Sequence, residues 1–312
     1  MFLITGGAGF IGSHLADRLV QRGATVRVLD NFSTGRAVNL AALSGRVEVL
    51  NGDLRDRSAV RRAVEGADVV FHQGAIASVP RSIEDPHVTF DVNVTGTLNV
   101  LVAAHAAGCR RVVFASSASI YGDDPVVPKE ETMLPQPASP YAVSKMTGEH
   151  LCAVYHRLHG VETVSLRYFN VFGPRQDPDS PYSGVLTRFL SALRSGEAPT
   201  VHGDGQQTRD FVYVDDVVDA NLGAATAPGV AGRAFNIGSG RATTLNDALQ
   251  TLARVCHTDV CPRHEAARSG DIRHSVANID RARRELGCAV AVPLEEGLAR
   301  TVAGLPSGHR VG

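Results

Sequence analysis

Several things are missing from these 312 residues, and each absence closes off a class of function. No charge of one sign dominates: 31 Lys plus Arg stand against 32 Asp plus Glu. The whole chain therefore carries no electrostatic footprint for nucleic acid or an anionic membrane, and any basic site must be local. There is no C-x-x-C pair. The five cysteines, Cys109, Cys152, Cys256, Cys261 and Cys288, are scattered and odd in number, which argues against a disulfide framework and a zinc site and fits reduced thiols in a cytoplasmic protein. No metal is expected. No apolar run reaches the length that crosses a bilayer. No cationic n-region with a long apolar core precedes Leu3-Ile4-Thr5-Gly6, so no secretory signal is expected. Internal repeats and low-complexity stretches are missing too. What is present is 44% hydrophobic, enough to bury a full core in one large domain or two modest ones.

Short apolar runs alternate with helical patterns through about residue 168. Residues 1–5 read as a strand, Gly6-Gly7-Ala8-Gly9-Phe10-Ile11-Gly12 as a glycine turn, and the stretch with Leu15, Leu19 and Val20 on one side as a helix. Glycines at 6, 9 and 12 allow a tight turn, admit a pyrophosphate near the helix N-terminus and let helix pack on strand. A purely structural turn would use the same residues, so the context decides. Residues 24–29 form a second strand that ends at Asp30, eighteen residues past Gly12. A carboxylate at that tip is placed to bond the adenosine ribose hydroxyls and to repel a 2′-phosphate, which favours NAD over NADP. Arg36 is the nearby residue that would receive such a phosphate. A third strand, 47–50, runs into Asp53, readable as a helix cap or as an adenine contact.

The fourth strand, 68–72, leads into the small-residue loop from Gln73 to Ser82, at the carboxyl end of a strand, where doubly wound sheets bind ligands. A helix is expected over 91–107, with Val94, Leu98, Leu101 and Val102 on one face and Asn93 near its start as a cap or a ligand contact. Residues 111–115 form the fifth strand and deliver Ser116-Ser117 to the same edge; residues 161–167 form the sixth. Beyond them the pattern breaks into short mixed elements, with 234–238 reading as one more strand that returns to the large sheet. The expected fold is α/β: a doubly wound parallel sheet of Rossmann type in residues 1–169 plus the returning strand, with a smaller α/β substrate domain from the rest of 170–312.

Ser139-Pro140-Tyr141-Ala142-Val143-Ser144-Lys145 holds the only tyrosine followed four residues later by a lysine. On a helix the two side chains share a face. An ammonium close to a phenol favours the phenolate, which would let Tyr141 act as a base near neutral pH. Taken alone, such a pair is most often a core-edge aromatic and a solvated charge, and the rest of the chain has to decide.

The ordered set resembles a known family. Thr5 to Gly12, Asp30 to Gly35, Ser116-Ser117 with Tyr121-Gly122, Tyr141 to Lys145, Arg167-Tyr168-Phe169-Asn170 and Arg209-Asp210-Phe211 resemble the extended short-chain dehydrogenase/reductases, most closely the UDP-hexose 4-epimerases, over nearly the whole chain. The resemblance implies a bound NAD held by Gly6, Gly9, Phe10, Ile11, Gly12, Asp30, Asn31, Asp53, Leu54, Gln73, Tyr141, Lys145 and Tyr168. It implies hydride removal from C4 of the sugar, with Tyr141 taking the 4-hydroxyl proton, Ser117 bridging phenol and hydroxyl, and Lys145 lowering the tyrosine pKa. A 4-keto sugar would turn over about its diphosphate linkage and take the hydride back on its other face.

By the same resemblance Asn170, Arg209 and Arg268 grip the UDP diphosphate, Asn93 lies near the nucleotides, and Ser78, Val185, His202 and Ser275 complete the substrate side. An Arg fork suits phosphate oxygens. Ala118-Ser119 stand where the sister 4,6-dehydratases need an Asp-Glu pair, so dehydration is not expected. Serine at 275, rather than a bulky aromatic, leaves room for an N-acetyl group at C2; Ala77 stands where glucose-type epimerases carry a lysine on the cofactor ribose. The expected activity is 4-epimerisation of UDP-glucose and UDP-galactose and of their N-acetylated pair, in a cytoplasmic homodimer paired through helices 91–107 and 141–159. The alternatives are a UDP-glucuronate 4-epimerase or a 4-ketoreductase, with Arg175 or Arg188 as the cation for a sugar carboxylate, and a silent NAD-sensing scaffold.

Overall fold

The apolar runs become strands. In the computed structural model, which describes residues 1–177, 184–267 and 272–305, β1 (Phe2–Thr5), β2 (Val26–Asp30), β3 (Val47–Asn51), β4 (Val69–His72), β5 (Arg111–Ser117) and β6 (Glu162–Tyr168) pair in parallel. Arg233–Ile237 returns to this sheet and pairs in parallel with β6, Phe235 opposite Leu166. The order across the sheet is Arg233–Ile237, β6, β5, β4, β1, β2, β3. Both faces are covered, which is why the inner strands are apolar without alternation: β4 is buried throughout, while β3 at the edge is mostly open.

On one face α1 (Phe10–Gln21) buries Leu15, Leu19 and Val20 beside helix Val214–Thr226. On the other lie α2 (Arg57–Val64), α3 (Val79–Glu84), α4 (Pro86–Phe90), α5 (Gly96–Ala106) and α6 (Pro140–His159). Ser78 caps α3, and Ser139, followed by Pro140, caps α6, the side-chain oxygen taking an amide that the helix leaves unpaired. The cap of α2 is Asp56, which accepts from Ser58 N at 2.8 Å and Ala59 N at 3.2 Å; Asp53 is left for other work.

The long helix differs from its expected pattern. It begins at Pro86, and residues Asp91–Thr95 form a π turn before α5 starts. A π turn takes an extra residue and so offsets the face that follows it. Thr97, Val100, Leu101 and Ala104 point inward, whereas Leu98 and Val102 stay 36% and 49% exposed.

The remaining segments form small sheets. Asn170–Phe172 pairs in parallel with Phe211–Tyr213. Thr208–Arg209 lies between Thr243–Thr244 and His274–Ser275, and Thr200–His202 pairs with Arg263–Glu265. Phe172, Phe189, Phe211, Leu249 and Leu298 share one apolar cluster with helices Val185–Arg194, Leu245–Val255 and Leu294–Ala303. Strand order reverses between β1 and β4, and a doubly wound sheet leaves its crevice at such a switch point.

Candidate active site

A cleft of about 500 Å³ opens at the carboxyl ends of the strands. Gly6, Gly9, Phe10, Ile11, Gly12, Asp30, Asn31, Asp53, Leu54, Gln73, Ser117, Tyr141, Lys145 and Tyr168 all line it. Two glycines of the turn at its floor have no room for a side chain. Gly6 has φ +67° and a Cβ there would lie 2.6 Å from Gly74 Cα; one on Gly12 would lie 2.3 Å from the Gly6 carbonyl oxygen. The backbone is thereby exposed at the start of α1, where amides and helix dipole favour an anion.

Asp30 pins the strand tip to this turn, accepting from Ala8 N at 2.9 Å and Phe32 N at 2.8 Å. Asp53 accepts from Asn31 Nδ2 at 2.8 Å and is paired with Arg55, whose guanidinium holds its carboxyl well below the usual carboxylate range. Arg36 and Asn39 also line this end. At the other end, Tyr168 OH receives Gln73 Nε2 at 3.1 Å and Asn221 Nδ2 at 2.8 Å, and burial pushes the phenol up to about 12. Asn221 went unnoticed in the sequence, where an asparagine inside a helix carries no signal.

Ser117 ends β5, and Tyr141 and Lys145 occupy the first two turns of α6. The i, i+4 expectation holds in its geometry: Lys145 Nζ lies 5.9 Å from the Tyr141 ring centroid and 5.2 Å from that of Phe114. Its energetics differ from the expectation. Lys145 is buried and donates to the Ala115 carbonyl at 2.8 Å, and burial brings it down to about 8. Burial pushes the Tyr141 phenol up, opposed by a hydrogen bond with Ser117. Burial thus acts against the phenolate, and the Lys145 ammonium is engaged by the Ala115 carbonyl. Ser117 Oγ accepts from Ser119 N at 3.1 Å, which occupies a lone pair and leaves the hydroxyl proton for another oxygen.

Behind this wall runs a buried network that sequence reading missed. Glu149, two turns beyond Tyr141, accepts from the Ser116 hydroxyl and from Arg167 Nε at 3.0 Å and Nη2 at 2.8 Å. Arg167 Nη1 reaches Tyr121 OH at 2.8 Å, and Tyr121 OH donates to Asn236 Oδ1 at 2.6 Å. These bonds tie α6, β5, β6 and the returning strand together.

A second chain of bonds fixes a tautomer. Thr97 Oγ1 donates to the Asn93 carbonyl, so it must accept from His72 Nε2, 2.9 Å away. His72 Nδ1 is then the acceptor for Thr5 Oγ1 at 2.7 Å, and Gly74 N donates to Thr5 Oγ1 at 3.2 Å. Burial, with the nearby Lys145 charge, brings His72 down to about 3, so the imidazole is neutral. Asn93 continues the chain: Nδ2 donates to Ile76 O at 3.1 Å and Ser144 Oγ at 3.0 Å, Oδ1 accepts from Ile76 N at 2.8 Å, and Ser144 Oγ donates to Tyr141 O at 2.7 Å. Asn93, read as a cap or a ligand contact, is outside the cleft lining, and its amide bonds Ile76 and Ser144. It links the cleft loop to α6.

The expected substrate residues lie mostly outside the cleft lining. Ser78 caps α3, accepting from Arg81 N at 3.2 Å; Arg81 itself lines the cleft. Arg209 and Ser275 are brought together as register partners on adjacent strands. Asn170 begins the strand next to Phe211–Tyr213. Val185 opens helix Val185–Arg194, and His202 lies 3.8 Å from Glu265 on the neighbouring strand. Arg268 falls outside the described residues. Among the described residues no group of three or more His, Cys, Asp or Glu side chains is placed to hold a metal, and no helix is long and apolar enough to cross a membrane.

A cleft with a side-chain-free anion site at a helix start, a carboxylate at the second strand tip and a Tyr–Lys–Ser group at its far end has the donor set for a dinucleotide with its redox ring beside Tyr141. A model of the NAD dependent epimerase/dehydratase family matches residues 2–238. The UDP-glucose 4-epimerase of Mycolicibacterium smegmatis is 41% identical over 304 residues, 96% of each chain. Two solved structures are similar along the chain: the UDP-N-acetylglucosamine 4-epimerase of Methanobrevibacter ruminantium in complex with UDP-N-acetylmuramic acid (TM-score 0.93, 35% identity, 97% of both chains), and the UDP-glucose 4-epimerase of Thermus thermophilus in complex with NAD (TM-score 0.87, 38% identity, 97% and 98%).

Proposed function

The chain belongs to the NAD dependent epimerase/dehydratase family, NAD is its cofactor, and from that premise we propose that it is a UDP-hexose 4-epimerase acting on UDP-glucose and UDP-galactose and on their N-acetylated pair. The observation that carries this reading is the placement of Ser117, Tyr141 and Lys145 on one wall of a dinucleotide cleft. Bound NAD supplies a hydride acceptor that can also return the hydride. Tyr141 takes the 4-hydroxyl proton and gives it back, with the Ser117 hydroxyl joining phenol and sugar oxygen. Burial disfavours the Tyr141 phenolate in the chain alone. A positive charge on a bound oxidised cofactor would offset that burial, and Tyr141, Lys145 and Ser117 are the cleft residues on which this would act.

The sugar must present both faces in turn. A firm hold on the diphosphate, assigned to Asn170, Arg209 and Arg268, and a loose one on the ring serve this, and Ser275, buried beside Arg209, supports tolerance of an N-acetyl group by its small size. A uronate substrate is less well served. Arg175, which lines the cleft, is paired with Asp17, and Arg188 is exposed on helix Val185–Arg194. The assembly that fits is a twofold dimer, with exposed Leu98, Val102 and Leu158 on the two long helices as the apolar contact. Light scattering of the wild type and of Val102→Asp tests it, a monomeric wild type counting against it. For the activity, anomeric-proton NMR over a panel of UDP-sugars is the test: gluco and galacto epimers should interconvert without added reductant, and NAD-loaded protein that converts none would end the proposal.

A further inference from the structure

One carboxylate between the cofactor sheet and the substrate-side strands has no part in the chemistry above. Asp210 has no exposed surface. Its Oδ1 accepts from Ser239 N at 2.6 Å and Ser239 Oγ at 2.7 Å, and its Oδ2 from Gly240 N at 2.9 Å and Ala277 N at 3.0 Å. Its carbonyl accepts from Asn170 N at 3.0 Å. An ionised carboxylate only accepts, so it matches this set of donors as no neutral side chain does. The packing leaves no slack: a Cβ on Gly238 would lie 2.7 Å from Asp210 Oδ2 and 2.9 Å from Ala277 Cβ.

The segments that meet on Asp210 come from both halves of the site. Ser239 and Gly240 follow Arg233–Ile237, the strand that belongs to the cofactor sheet. Ala277 stands two residues past Ser275, whose register partner is Arg209, the residue next to Asp210. Asn170 is held through its amide and follows Phe169, a residue of the cleft wall. Ser275 thus lies two residues from an amide held by the buried carboxylate, Arg209 is the chain neighbour of Asp210 and the register partner of Ser275, and Asn170 is held by the Asp210 backbone carbonyl.

Building on the 4-epimerase reading, we propose that Asp210 is a positioning residue for the nucleotide-sugar half of the site. It fixes Asn170, Arg209 and Ser275 as a unit against the cofactor sheet and governs how tightly the UDP portion is held. It touches neither substrate nor cofactor.

The test compares wild type, Asp210→Asn, Ser239→Ala and Ser239→Thr as NAD-loaded enzymes, by calorimetric titration with UDP and by UDP-galactose turnover. Asn keeps the size of the side chain but turns an amide donor toward N–H groups. Asp210→Asn should weaken UDP binding and raise KM roughly tenfold or more, with kcat within about threefold and NAD content per chain unchanged. Ser239→Ala removes a single contact and should move UDP affinity and KM the same way by a few fold, while Ser239→Thr, which keeps the hydroxyl, should restore both. Unchanged UDP affinity in folded Asp210→Asn overturns the proposal, as does a parallel loss of UDP affinity and NAD content, which denotes general loosening. If Asp210→Asn does not fold, wild-type UDP affinity in Ser239→Ala overturns it. Failure of the epimerase reading shows differently: wild-type protein that binds UDP and converts no UDP-sugar.

Discussion

Replacing His72 with glutamine tests the reasoning about the buried chain of bonds, because it should change how stability responds to pH. In the folded chain the imidazole titrates at about 3, against 6.5 for an ordinary histidine, because burial and the Lys145 charge disfavour its protonated form. Between those values the unfolded chain binds the extra proton and the folded chain does not, so stability falls as pH falls. From about pH 7.5 to about pH 5 the unfolded imidazole gains about 1.5 log units of proton binding and the folded one almost none, worth about 2 kcal/mol at ~1.36 kcal/mol per unit. Lys145, at about 8, titrates above this window.

His72→Gln keeps a donor for Thr97 and an acceptor for Thr5 and has nothing to titrate. Urea midpoints at the two pH values, for wild type and variant, give the comparison. Other carboxylates and histidines act in both proteins and cancel in the difference. The wild type should lose about 2 kcal/mol more than the variant on acidification. Equal losses would refute both the neutral tautomer and the buried chain built on it.

Three further outcomes follow from the same geometry. Tyr141→Phe should leave NAD bound and lower turnover by roughly 10²- to 10⁴-fold, read by epimer formation and by NAD content after gel filtration; loss of NAD together with activity would mean that the residue serves the cleft rather than the proton. Gly12→Ala places a Cβ 2.3 Å from the Gly6 carbonyl and should cost about 1–3 kcal/mol in stability and sharply lower NAD content per chain; a variant that still purifies with full NAD would show that the turn yields. Glu149→Gln strips the buried Arg167 of its counter-charge and should destabilise by about 3–5 kcal/mol, measured by urea unfolding; a loss under ~1 kcal/mol would place that pair in contact with water.

The sheet and the cofactor end of the cleft were legible in the chain because both rest on local rules. Short apolar-rich segments that become strands of four to seven residues announce the parallel sheet, glycines at 6 and 12 mark where backbone must approach backbone, and a Tyr–Lys spacing of four brings two side chains to one helix face. Where local rules misled, a tertiary demand overrode them. Leu98 and Val102, in α5 beyond the π turn at Asp91–Thr95, face outward while Leu101 is buried, because which side of a helix meets the sheet is set by packing and not by spacing. Asn93 looked like a ligand contact because a polar residue at a helix start near a cleft has no internal clue to its partner, and the fold brought Ile76 and Ser144 to it.

The amino-acid order by itself therefore determined the doubly wound sheet, the anion-accepting turn and the pairing of phenol with ammonium, since these depend on residues close together in the chain. Only the tertiary structure decided the protonation of that pair, because desolvation is set by what surrounds a group and not by its neighbours in sequence. It alone also decided which segments meet on Asp210 and on Glu149: those contacts join residues 18 to 67 positions apart, and at such separations spacing carries no information about distance.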